Sequence, residues 1–70
     1  MMPLSMAGSG EVLSIQRIGG KAETKKFLEN LGFTVGESVK VITETGGNLI
    51  VQVKEARVAI SREMANKIMV

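Results

Sequence analysis

Apolar and polar positions alternate most regularly in the middle of the chain, and that alternation predicts a β-hairpin. Val39, Val41 and Thr43 fall on one face of a first arm over Val39–Glu44; Leu49, Val51 and Val53 fall on one face of a second over Asn48–Lys54. Gly46 and Gly47 stand between the arms, where a two-residue turn needs positive φ. Each arm also carries isoleucine on its other face, Ile42 and Ile50, so the sheet is expected to curl or to be covered by a second layer. Arg57–Ile60 reads as a further short strand, reached through Lys54-Glu55-Ala56. Upstream, Glu11–Ile18 is a strand candidate: Leu13 and Ile15 alternate with Val12, Ser14 and Gln16, and Gly19-Gly20 ends it.

Between these strands the period changes from two to that of a helix. Thr24 is the expected N-cap, since its hydroxyl can accept from an early helical N–H. Phe27, Leu28 and Leu31 then share one face, while Lys25, Lys26, Glu29 and Asn30 fall largely on the other. Gly32 is placed to end the helix in a left-handed conformation, with Phe33 folding back over Leu28. Thr34-Val35-Gly36-Glu37 predicts a type II turn with Gly36 at positive φ, and Glu37–Ile42 starts the next strand. Near the end, Ser61 is expected to cap a second short helix, with Glu63 in its first turn and Lys67 near its last. Met64, Ala65 and Ile68 would form its apolar face, and Met69-Val70 a final β pairing. Pro3-Leu4-Ser5 reads as an extended lead-in and Gly8-Ser9-Gly10 as a turn. Four or five short strands with one early and one late helix make a mainly β chain, a small SH3-like barrel, with residues 1–70 as one domain.

Composition narrows what such a barrel can do. The chain has 70 residues and neither cysteine nor histidine, so no disulfide or imidazole-bound metal can support it. Phe27 and Phe33 are its only aromatic residues, which leaves Val, Ile and Leu to build the core. The usual nucleophile–base pairs and proton shuttles are missing, and no two of the glutamates stand as an acid/base pair, so the chain does not read as an enzyme. Carboxylates alone make a poor ferrous site, and the methionine thioethers suit softer ions. Gly19-Gly20-Lys21 lacks the spacing of a phosphate-binding loop and reads as a plain connection. A net charge of +2, spread rather than clustered, and the lack of Trp and Tyr argue against a nucleic-acid surface. No signal peptide or membrane-spanning run is visible, so a cytoplasmic protein without direct membrane insertion is expected.

The run Leu28-x-x-Leu31-Gly32-Phe33-x-x-Gly36-x-x-Val39-x-Val41 resembles the core signature of FeoA-type proteins. Gly10–Ile15, Gly19-Gly20, Val58-Ala59-Ile60 and Ala65-x-x-Ile68-x-Val70 extend the likeness over nearly the whole chain. The chain departs from the pattern at Val35, where the family often has proline, and over Lys54–Arg57, where it often has glycine or asparagine in the hairpin. The resemblance implies an SH3-like barrel serving as a small accessory or regulatory partner of the bacterial ferrous iron transporter, bound to that transporter's cytosolic G-protein domain. It leaves room for weak divalent-metal (ferrous iron) binding, without a ligand set. The basic and apolar residues Lys25, Lys26, Leu28 and Phe33 are the candidate partner surface; Thr24, Gly32, Gly36, Gly46, Gly47 and Ser61 are candidate turn and cap residues. Two other roles suit the same fold: the SH3-like domain of an iron-dependent repressor and a small nucleic-acid-binding barrel. The chain has no room for a helix-turn-helix, which favours a free-standing protein over a repressor fragment. An open barrel edge would also allow a homodimer.

Overall fold

Six strands are distributed over two sheets in the computed structural model, which describes residues 1–70. The four-stranded sheet has the order β1 (Val12–Ser14), β3 (Ser38–Thr45), β4 (Asn48–Val53), β5 (Ala56–Ser61). The two-stranded sheet pairs β2 (Arg17–Ile18) with β6 (Ile68–Met69). All strand pairs are antiparallel. Helix α1 (Ala22–Asn30) lies between β2 and β3, and a single helical turn, α2 (Arg62–Ala65), between β5 and β6.

The run expected as one strand, Glu11–Ile18, is two strands in two sheets. β1 pairs with β3, and the chain then turns at Ile15-Gln16 so that β2 pairs with β6. The Ile15 amide donates to Glu37 and the Gln16 amide to Met69, so the handover between sheets occurs within one residue step. The buried positions change phase there, from Ile15 to Ile18, so the strict alternation does not continue. This corner joins the two sheets.

The central hairpin forms as expected, with Gly46 and Gly47 at φ 52° and 86° in a two-residue turn. Leu49, Val51 and Val53 are all buried, as are Val39 and Val41. Thr43 is the exception to the expected face. A β-bulge at Ile42 makes Val41 pair with Val51 but Thr43 with Ile50, so Thr43 moves to the outer face and is exposed. One extra residue reverses the side on which every later side chain points.

The chain ends differ from expectation in two places. Pro3 makes a single bridge to Met69, and Leu4–Met6 is a 3-10 turn rather than an extended lead-in, with Leu4 fully buried. Ser61 caps α2 as expected, its hydroxyl accepting from the Met64 amide at 3.1 Å. Lys67 and Ile68 lie beyond the end of α2, and Ile68 enters the core from β6. Val70 exchanges backbone hydrogen bonds with Met2, which ties the two ends of the chain together.

The core comprises 13 buried residues, all apolar, and only Phe33 and Ala65 among them are not Val, Ile or Leu. No buried side-chain nitrogen or oxygen lacks a partner. Dispersion and the removal of apolar surface from water therefore hold the barrel, at about 25 cal/mol per Å² buried. The salt bridge between Arg62 and Glu44 is exposed on both sides and contributes little. No helix is long and apolar enough to cross a membrane.

Candidate partner-binding groove

Helix α1 begins earlier than the sequence suggests, with Lys21 at the N-cap and no side-chain cap. Thr24 therefore sits in the first turn rather than before it, and its expected capping role is not realised. The cause is Gly20, at φ 93°, which turns the chain so that helical geometry can start at Ala22. At the other end the expected motif is complete. The Gly32 amide donates to Glu29 and the Phe33 amide to Leu28, both at 2.9 Å, with Gly32 at φ 108°. Gly36 is at φ 92°, and the Glu37 amide donates to Thr34 at 3.0 Å, as a type II turn requires.

These elements enclose a groove of about 440 Å³. Gln16, Arg17 and Ile18 form one wall, Lys25 and Glu29 of α1 the second, and Thr34 and Val35 of the turn the third. Lys25 and Glu29 are four residues apart, which stacks them on one helical face. The groove thus carries two cations and one anion, with an apolar rim: Val35 is 66% exposed. Phe27, on the same helix, is 49% exposed rather than part of the core as its helical face suggested.

The four residues expected to form the partner surface separate into two pairs. Lys25 and Lys26 are exposed, and Lys25 lines the groove. Leu28 and Phe33 are fully buried, so in the folded chain neither offers surface to a partner. The constrained connection draws them inward because the helix ending brings Phe33 back to Leu28. The sequence does not place Arg17 or Val35 on the partner surface, yet both line the groove. Their exposure follows from the tertiary structure, which periodicity alone does not reveal. No cluster of three or more His, Cys, Asp or Glu side chains forms anywhere in the molecule.

The two sheets, the corner at Ile15 and the late helical turn define a small SH3-like barrel with an inserted helix. A family model described as the FeoA domain matches residues 2–70. A provisionally named Fe(2+) transport protein A of Methanocaldococcus jannaschii is 34% identical over 70 residues, covering all of this chain and 85% of that protein. The chain belongs to the FeoA family. Among solved structures, an iron uptake regulatory protein (FeoA) is 30% identical with a TM-score of 0.87, over 96% of this chain and 89% of that one. The FeoA of Stenotrophomonas maltophilia, solved with zinc and described as a procaryotic SH3 domain protein, is 24% identical with a TM-score of 0.85, over 99% and 88% of the two chains. The same fold forms part of a manganese-dependent transcriptional repressor: 17% identity, a TM-score of 0.86, and 94% of this chain against 38% of that one.

Proposed function

We propose that this chain is an accessory subunit of ferrous iron transport that docks, on the cytosolic side, onto the G-protein domain of the membrane transporter. Family membership supports the transport role. The observation that carries the docking role is the groove, where Arg17 and Lys25 lie beside the exposed Val35 on walls joined by backbone hydrogen bonds. A preorganised groove of this kind suits an acidic segment with an apolar anchor, because little ordering entropy is lost on binding. In this reading the protein binds and is not a catalyst, since its groove holds no nucleophile–base pair.

Titration calorimetry of the isolated G-protein domain with this protein, with and without guanine nucleotide, tests the proposal. Saturable, nucleotide-sensitive binding that Lys25→Glu with Arg17→Glu weakens at least about tenfold is the expected result. No heat at ~100 µM, equivalent to an affinity weaker than about 5.5 kcal/mol, overturns it. A second reading, a regulatory SH3-like module within a metal-dependent repressor, is favoured by the repressor fold match. Metal-dependent binding to a repressor's DNA-binding body, with none to the G-protein domain, would select it.

A further inference from the structure

β5 is the long edge of the barrel that no other strand covers. Of the two edges of the four-stranded sheet, β1 has three residues and β5 has six. The β4–β5 hairpin is closed by Val53 and Ala56 around the two-residue Lys54-Glu55 turn. In such a hairpin the closing pair exchanges hydrogen bonds and every second pair does the same. Val58 and Ile60 therefore bond to β4, while Arg57, Ala59 and Ser61 turn their backbone groups away from it; the Ser61 C=O accepts the first bond of α2, which leaves its N–H and both groups of Arg57 and Ala59 facing outward. None of the backbone hydrogen bonds formed outside the helices and strands involves these three residues. Natural edges are usually blunted by proline, a bulge, an inward charge or short length. β5 has no proline and no bulge, and its one charge, Arg57, stands near the start.

We propose that β5 pairs with β5 of a second copy of this chain, antiparallel about a two-fold axis at Ala59. That register sets Ala59 opposite Ala59, where both exchange N–H and C=O bonds, and Arg57 opposite Ser61 of the second copy, whose N–H donates to the Arg57 C=O. It also sets Val58 opposite Ile60 of the second copy; Ile60 is buried in its own core, so the half-buried Val58 is the apolar side chain with surface at the seam. The axis falls on an exposed methyl group, small enough for close approach. The two Arg57 side chains are offset by four residues along the strands, about 13 Å, beyond the screening length at physiological salt. Backbone pairing, a small exposed residue at the axis and separated like charges therefore agree on one partner, the chain itself. A single strand pair buries less than about 1,000 Å², so the dimer is a weak one. No residue lining the groove belongs to β5, and the dimer leaves the groove free.

Sedimentation velocity of the metal-free protein from ~10 µM to ~1 mM tests this, together with amide shifts followed over the same range. The expected result is a concentration-dependent dimer, with the Arg57, Ala59 and Ser61 amides shifting. Ala59→Glu and Ala59→Lys should each raise the dimer dissociation constant at least about tenfold, because like charges meet at the axis. An equimolar mixture of the two variants should associate again. Ala59→Pro should stay monomeric at unchanged thermal stability, since it removes an N–H that the barrel does not use. A wild-type protein that remains monomeric at ~1 mM overturns the proposal. So does a dimer that both charged variants form as readily as wild type, or Ala59→Pro weakening G-protein-domain binding while wild type stays monomeric, which would give the edge to a different occupant.

Discussion

The Gly36 amide donates a 2.8 Å hydrogen bond to the Ile15 carbonyl, and the Ile15 amide donates to Glu37 at 2.9 Å. This pair of bonds clips the type II turn onto the corner where the chain leaves one sheet for the other. Val35 stands on the turn, and Arg17 follows the corner, so two walls of the groove are tied through backbone alone.

Gly36→Ala should therefore cost about 1–2 kcal/mol, the penalty of a Cβ in the left-handed region. No atom lies within 4 Å of where that Cβ would stand, so the loss would be purely conformational. Urea denaturation measures it. The same variant should weaken partner binding while leaving Lys25 chemically intact.

Leu28 and Phe33 should behave as core residues and Lys25 and Phe27 as surface ones. Phe33→Ala and Leu28→Ala are expected to cost about 2–5 kcal/mol each, enough to unfold much of a small domain. Lys25→Glu should shift stability by no more than about 0.5 kcal/mol. Thermal unfolding of the variants side by side checks the division.

Lys54 is the one residue other than glycine at positive φ, 54°, in the turn between β4 and β5. Glycine or asparagine would occupy that backbone with less strain. Lys54→Gly is expected to stabilise by about 0.5–1 kcal/mol, after the added flexibility of the unfolded chain is counted. A rise in the denaturation midpoint at constant slope would show it.

Ser61 holds the start of α2 through its hydroxyl. Ser61→Ala should cost about 1 kcal/mol, and Ser61→Asp should recover most of it. The readout is again equilibrium unfolding.

Local chemistry was legible in the chain wherever neighbours a few residues apart decide the outcome. The Gly32 helix stop, the Gly36 turn, the Gly46-Gly47 hairpin and the Ser61 cap each depend on a short segment and its own backbone. The alternation of Leu49, Val51 and Val53 likewise marked a core-facing strand before any tertiary contact was known. The candidate site was legible only in part: Lys25 lines the groove, but Leu28 and Phe33, which the helix ending already brings together, lie in the core.

Only the tertiary structure decided matters that depend on segments far apart in sequence. Glu11–Ile18 reads as one strand because its apolar period is nearly continuous. It splits because its first half pairs with β3 and its second with β6, which lie in different sheets. Thr43 left the core face because pairing with β4 inserts a bulge at Ile42, which no single-strand pattern encodes. The groove is of the same kind: Arg17, Lys25 and Val35 come from a strand, a helix and a turn. They meet because the barrel corner at Ile15 is bonded to the Gly36 turn, a long-range contact that the local pattern does not contain.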